Sequence, residues 1–158
     1  MKSNFLFFMI IVVFGSCAAG IKKDLLTGLT VTNNGLSYDN VYLTSEGQQL
    51  QSTDFSMGQK IVIQLEGVDG FKLTDGMAFA GASLVVEDDA GNVVMELNDL
   101  LASYNETGIK PEDAKFLSAN FTVGNPIELN KPYKLIANFW DNNSESDIIC
   151  KVDFTVKN

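Results

Sequence analysis

Apolar side chains recur at every second position along most of this 158-residue chain, and that spacing admits few folds. Ile61, Ile63 and Leu65 alternate with Lys60, Val62, Gln64 and Glu66. Leu84 and Val86 lead into Glu87-Asp88-Asp89-Ala90-Gly91-Asn92, and Val93, Met95 and Leu97 resume the pattern beyond it. Leu117, Ala119, Phe121 and Val123 make the next set, followed by Tyr133, Leu135, Ala137 and Phe139. Ile148, Cys150, Val152, Phe154 and Val156 make the clearest one. A period of two places one face of an extended strand in a core and the other in water. Leu29/Val31 and Val41/Leu43 add shorter candidates.

Turn-forming residues separate these runs: Asn33-Asn34-Gly35, Ser45-Glu46-Gly47, Ala90-Gly91-Asn92, Gly124-Asn125-Pro126 and Asp141-Asn142-Asn143. The count comes to about eight or nine strands. Helical spacing is confined to Asn98–Tyr104, where Leu100, Leu101 and Tyr104 would face a core over two turns, and to one turn opening at Pro111. Many short strands with helix restricted to a connection predict an all-β, antiparallel β-sandwich.

From Met57 onward the chain resembles the immunoglobulin-like sandwiches of bacterial surface proteins. Two segments carry the likeness, the Val85–Val94 hairpin and the Leu129-Asn130-Lys131-Pro132-Tyr133-Lys134-Leu135 element. The second is similar to a tyrosine corner, which implies that Tyr133 opens the penultimate strand and that Leu135 stands where antibody domains carry Cys. The chain departs from the pattern in lacking an inter-sheet disulfide and a Trp in the third strand. Sandwiches of this kind serve adhesion, accessory and assembly roles, so the likeness speaks to architecture.

The N-terminus has a different composition. Lys2 precedes an uninterrupted apolar run, Phe5 to Phe14, and small residues close it at Gly15-Ser16-Cys17-Ala18-Ala19. About ten apolar residues fall short of roughly 30 Å of hydrocarbon but suit a signal-peptide core. Phe14-Gly15-Ser16-Cys17 resembles the lipobox of bacterial lipoproteins, with Phe14 where Leu is usual. The resemblance implies cleavage before Cys17 and acylation of Cys17. Cleavage after Ala19, giving a secreted chain without lipid, is the alternative. The expected organisation is signal peptide 1–16, lipidated Cys and tether 17–25, and one sandwich domain 26–158. The expected address is the cell envelope, as an outer-membrane or cell-surface lipoprotein.

Composition removes whole classes of chemistry. There is no His and no Arg. The usual zinc ligand sets, Ser-His-Asp triads and bidentate phosphate clamps are therefore unavailable. The formal charge is −9, which repels a phosphate backbone, so nucleic acid is not an expected partner. With Cys17 assigned to lipid, Cys150 has no partner for an internal disulfide and reads as a buried thiol within its strand.

Two candidate sites remain. Asp141, Asn143, Glu145 and Asp147 bring oxygen side chains to alternate positions between two strands and could gather on Ca²⁺, or simply form a polar hairpin. Trp140 ends a strand beside that loop, where its ring would either cap the core or present a stacking surface to a ligand. Glu87, Asp88 and Asp89 form a second acidic cluster, read as a solvated hairpin tip. The expected function is a non-catalytic binding or interaction module with a protein or glycan partner, without a resident cofactor. The alternative is a carboxylate-based enzyme or accessory domain acting on glycans.

Overall fold

The computed structural model describes residues 19–158, so Cys17 and the signal segment lie outside the described residues. The eleven strands are β1 (Ala19–Lys23), β2 (Thr30–Asn34), β3 (Asn40–Ser45), β4 (Gln48–Gln49), β5 (Asp54–Ser56), β6 (Lys60–Glu66), β7 (Ala80–Asp88), β8 (Val93–Leu97), β9 (Phe116–Thr122), β10 (Pro132–Asp141) and β11 (Asp147–Lys157). They form two sheets. The larger runs β1-β2-β11-β10-β7-β8, with β5 added alongside β11 as the one parallel pairing among the described residues. The smaller runs β4-β3-β6-β9. The two face one another as the sandwich that the alternation demanded.

The inner faces are the period-two sets. β6 buries Ile61, Ile63 and Leu65, and β9 opposes them with Leu117, Ala119 and Phe121. β10 buries Tyr133, Leu135, Ala137 and Phe139, and β11 buries Ile148, Cys150, Val152, Phe154 and Val156. Phe154 anchors one end of the core, stacked on Phe55 at 5.1 Å and on Tyr133 at 5.6 Å between ring centroids. Tyr133 does open the penultimate strand, and its hydroxyl accepts a hydrogen bond from the backbone N–H of Glu128 at 2.9 Å. That return bond to a residue just upstream is the bond a tyrosine corner makes.

The turns follow from backbone sterics. The β3–β4 hairpin closes on Glu46 and Gly47, with φ of 51° and 77°, the left-handed pair that a two-residue hairpin loop requires. In the β7–β8 turn, Asp88 Oδ1 accepts from the N–H groups of Ala90 and Asn92 at 3.0 and 2.8 Å. Asn92 Nδ2 donates to Asp88 Oδ2 at 2.9 Å. These bonds, the Asn92 side chain first, hold the Asp88 carboxyl below its ordinary pKa. The acidic tip is thus partly a turn cap.

Four details differ from the sequence reading. The described residues hold eleven strands, because β1, β4 and β5 are too short or too polar to show alternation. Residues 19–23, expected to be a free tether, pair with β2 from Ala19↔Asn34 to Lys23↔Thr30. Val93 is 55 % exposed, because a bulge between Val86 and Glu87 shifts the β7–β8 register. The helical stripe at Asn98–Tyr104 shrinks to a single 3₁₀ turn at Ala102–Tyr104 with Tyr104 exposed, whereas the turn after Pro111 forms as α1 (Pro111–Ala114).

Candidate functional site

Strand parity places Trp140. Phe139 points into the core, so Trp140 points outward on the larger sheet, between cross-strand partners Gly81 on β7 and Asp147 on β11. The indole lies across Gly81, because a Cβ built there would overlap Trp140 Cε2, Cζ2 and Nε1. Glycine on the neighbouring strand therefore lets the ring lie down on the sheet instead of standing off it. The ring is half-buried, and its Nε1–H donates to Asn142 Oδ1 at 2.6 Å.

The amides continue outward from there. Asn142 Nδ2 donates to Asn105 Oδ1 at 3.4 Å, and Asn105 Nδ2 donates to Asp99 Oδ2 at 2.6 Å. The loop after β8 is drawn over this face by its own backbone, with Leu100 N–H donating to Ala82 C=O at 2.6 Å. Two positions before Trp140 on the same face of β10 is Asn138, paired with Ser83. Asn138 Oδ1 and Asp99 Oδ1 are both buried acceptors with no hydrogen-bond partner. Buried polar atoms are nearly always satisfied, so these two enclosed acceptors, one two positions along β10 from Trp140 and one at the far end of the amide chain, are exceptions on this side of the sheet.

The structure gives the acidic loop a structural task. Asp141 continues the inward parity of β10 and is 1 % exposed. Its Oδ2 accepts from Lys72 N–H at 2.9 Å and Ser144 Oγ at 2.7 Å, and its Oδ1 accepts from Asn143 N–H at 3.1 Å. Asn143 Nδ2 donates to Lys72 C=O at 3.3 Å and to Thr74 Oγ1 at 3.2 Å, which turns its amide toward the 72–74 loop. Asp147 pairs across from Trp140 on the outer face, opposite in parity to Asp141. Among the described residues no group of three or more Cys, Asp or Glu side chains is placed to hold a metal ion.

Elsewhere, Asp39, Glu66, Asp69 and Lys115 line a depression of about 410 Å³ at the end of the smaller sheet, where Tyr42 donates its hydroxyl to Glu66 Oε1 at 2.5 Å. That bond raises the Tyr42 pKa. Cys150 is fully buried, and desolvation pushes its thiol up to about 12, which removes it as a nucleophile near neutral pH.

Of the residues singled out from the sequence, Trp140 occupies an outward site, while Asp141 and Asn143 serve as loop ties. Asn138, Asn142, Asn105, Asp99 and Gly81 were missed. Strand parity alone would have put Asn138 beside Trp140; the loop residues carried no sequence signal, because hydrogen bonds between distant segments bring them in. Neither a protein-family model nor a curated protein matches the chain. Among solved structures, the C-terminal domain of wzt is similar in fold, with a TM-score of 0.53 and 12 % identity over 78 % of this chain and 74 % of that one.

Proposed function

We propose that this protein is a non-catalytic binding module of the cell envelope, tethered to a membrane through lipid on Cys17 and recognising a glycan at the Trp140 ledge. The observation that carries the reading is an indole laid flat across Gly81 on the outer face of the larger sheet, with the exposed amides of Asn142 and Asn105 beside it. A sugar ring offers an apolar C–H face to stack on the indole and hydroxyls at its rim to bond the exposed Asn142 and Asn105 amides. Asp99 and the net charge of −9 favour neutral over acidic sugars. A non-catalytic role is supported by the absence of His and Arg and by the raised Cys150 pKa.

The experiment is a glycan array probed with the full-length protein and with Trp140→Ala. Loss of a stacked aromatic should weaken binding roughly tenfold or more. An array with no binder, or binders indifferent to the substitution, rejects the glycan reading. Mass spectrometry of the mature protein tests the anchor: acylated Cys17 is expected, and an unmodified chain starting at Gly20 rejects it.

A further inference from the structure

We propose that the β1 edge of the larger sheet docks on an anionic lipid surface through the turn that follows it, so that the sandwich stands on edge against the membrane. Ile21, Leu25 and Leu26 are 77 %, 93 % and 69 % exposed. Solvated turns seldom place two adjacent leucines in full contact with water, and a cluster of that kind marks a surface that something covers. Leu26 is held outward by local bonds. Its N–H donates to Asp24 Oδ1 at 2.8 Å, and Thr27 Oγ1 donates to Asp24 Oδ2 at 2.9 Å, so the turn is built with its leucines outside.

The charge around this turn runs against the charge of the protein. Lys22 and Lys23 precede it directly, and Lys22 Nζ sits 5.0 Å above the Tyr38 ring. Lys134 and Lys151 line one hollow with Lys23, where Asp153 is the only acid. Lys22, Lys23 and Lys151 thus gather beside a turn whose own acid, Asp24, is taken up by Leu26 N–H and Thr27 Oγ1, in a chain that carries twenty acids. Lys134, on β10, also stands across from Glu87 and lines a second hollow with Asp88, Asp89 and Asp153, so it is shared with the acidic β7–β8 tip, whereas Lys22, Lys23 and Lys151 lie nearer the β1 edge. Exposed leucines amid lysines suit the interface of an anionic bilayer, with the apolar side chains among the acyl ends and the ammonium groups at the phosphates.

The proposal rests on the anchor reading for its geometry. The five residues of β1 span about 17 Å. Cys17 lies two residues before one end of β1, and Leu25 two residues after the other. A membrane holding both ends must lie along the strand, with β8, the opposite edge of the larger sheet, farthest away and the Trp140 face turned sideways into solution.

Hydrogen exchange of the full-length protein on vesicles tests this. On phosphatidylcholine vesicles with about 30 % phosphatidylglycerol, amides of residues 24–28 should exchange roughly fivefold more slowly than on phosphatidylcholine alone, as expected for several lysines near an anionic surface. Residues 88–93 should not respond. Leu25→Asp with Leu26→Asp should abolish the slowing. Acylated Cys17 without the slowing overturns the docking and leaves the anchor; unmodified Cys17 with the slowing retained rejects the anchor and keeps the docking. A protein covering the turn instead would leave exchange blind to lipid composition, which also overturns the proposal.

Discussion

The two ends of the larger sheet are built differently. At the Trp140 end, side chains do the joining: Asp141 ties the 72–74 loop to the β10–β11 hairpin, and Asn142 and Asn105 link Trp140 to Asp99. At the other end the turns are solvated and largely self-contained, closed by Asp24 and Asp88 on their own neighbours. Inter-loop bonds fix side chains over a wide area, which a stacking site needs. Self-contained turns leave their side chains free to meet something outside the chain.

The largest test of that contrast is Asp141→Ala. It removes three part-buried hydrogen bonds from Lys72, Asn143 and Ser144 and empties the buried position of the Asp141 carboxylate, and should cost about 2–3 kcal/mol, read from urea unfolding. A cost near that of an exposed carboxylate would erase the difference between the ends. Calcium bears on the same residue. If Asp141 is a loop tie and not a ligand, the melting temperature should be equal in EDTA and in millimolar Ca²⁺, and a calcium-dependent rise would restore Asp141, Asn143, Glu145 and Asp147 as ligands.

Gly81→Ala should follow in size. The added methyl overlaps the indole, so the ring must lift, with a cost of roughly 1–3 kcal/mol for overpacking and a matching loss of glycan binding. Retained binding would show that the ledge does not depend on the ring lying flat. Tyr133→Phe removes the acceptor for Glu128 N–H and should cost about 1 kcal/mol without touching the Trp140 end.

Two pH effects sharpen the comparison further. Cys150 has its pKa raised to about 12, so between about pH 9 and 12 the unfolded thiol ionises while the folded one does not, and stability should fall as pH rises through that window. Cys150→Ala should make that slope shallower, leaving the part contributed by Tyr38 and Tyr42, whose pKa values are also raised. Asp88 has its pKa lowered, so its contribution is present above the ordinary carboxylate value near 3.8 and fades as pH falls through the lowered one. Asp88→Asn should flatten this acid limb slightly, the smallest effect of the set, as befits an exposed turn.

Most of the sandwich was legible because period-two burial is a local pattern: the β10 and β11 core sets were readable residue by residue. The same parity, carried two residues further, assigns Trp140 outward and Asp141 inward, yet a loop rich in Asp and Asn masks the continuing strand. β1 and β5 were not legible, since Ala19–Lys23 and Asp54–Ser56 owe their strand form to partners distant in sequence. The site was half legible for the same reason. An aromatic at a strand end can be picked out in a sequence, but the contact between Asn105 and Asn142 exists only after the loop folds over the sheet.

One strand also governs when the molecule can form. β11 pairs with β10, β2 and β5, and the β1–β2 hairpin joins the larger sheet only through it. Val31 waits for Cys150, roughly 120 residues later, a loop closure of the kind that makes folding slow. Late pairing by a central strand therefore acts as a timer: the larger sheet cannot close until Asp147–Lys157, the last strand in the sequence, is available to join its two halves.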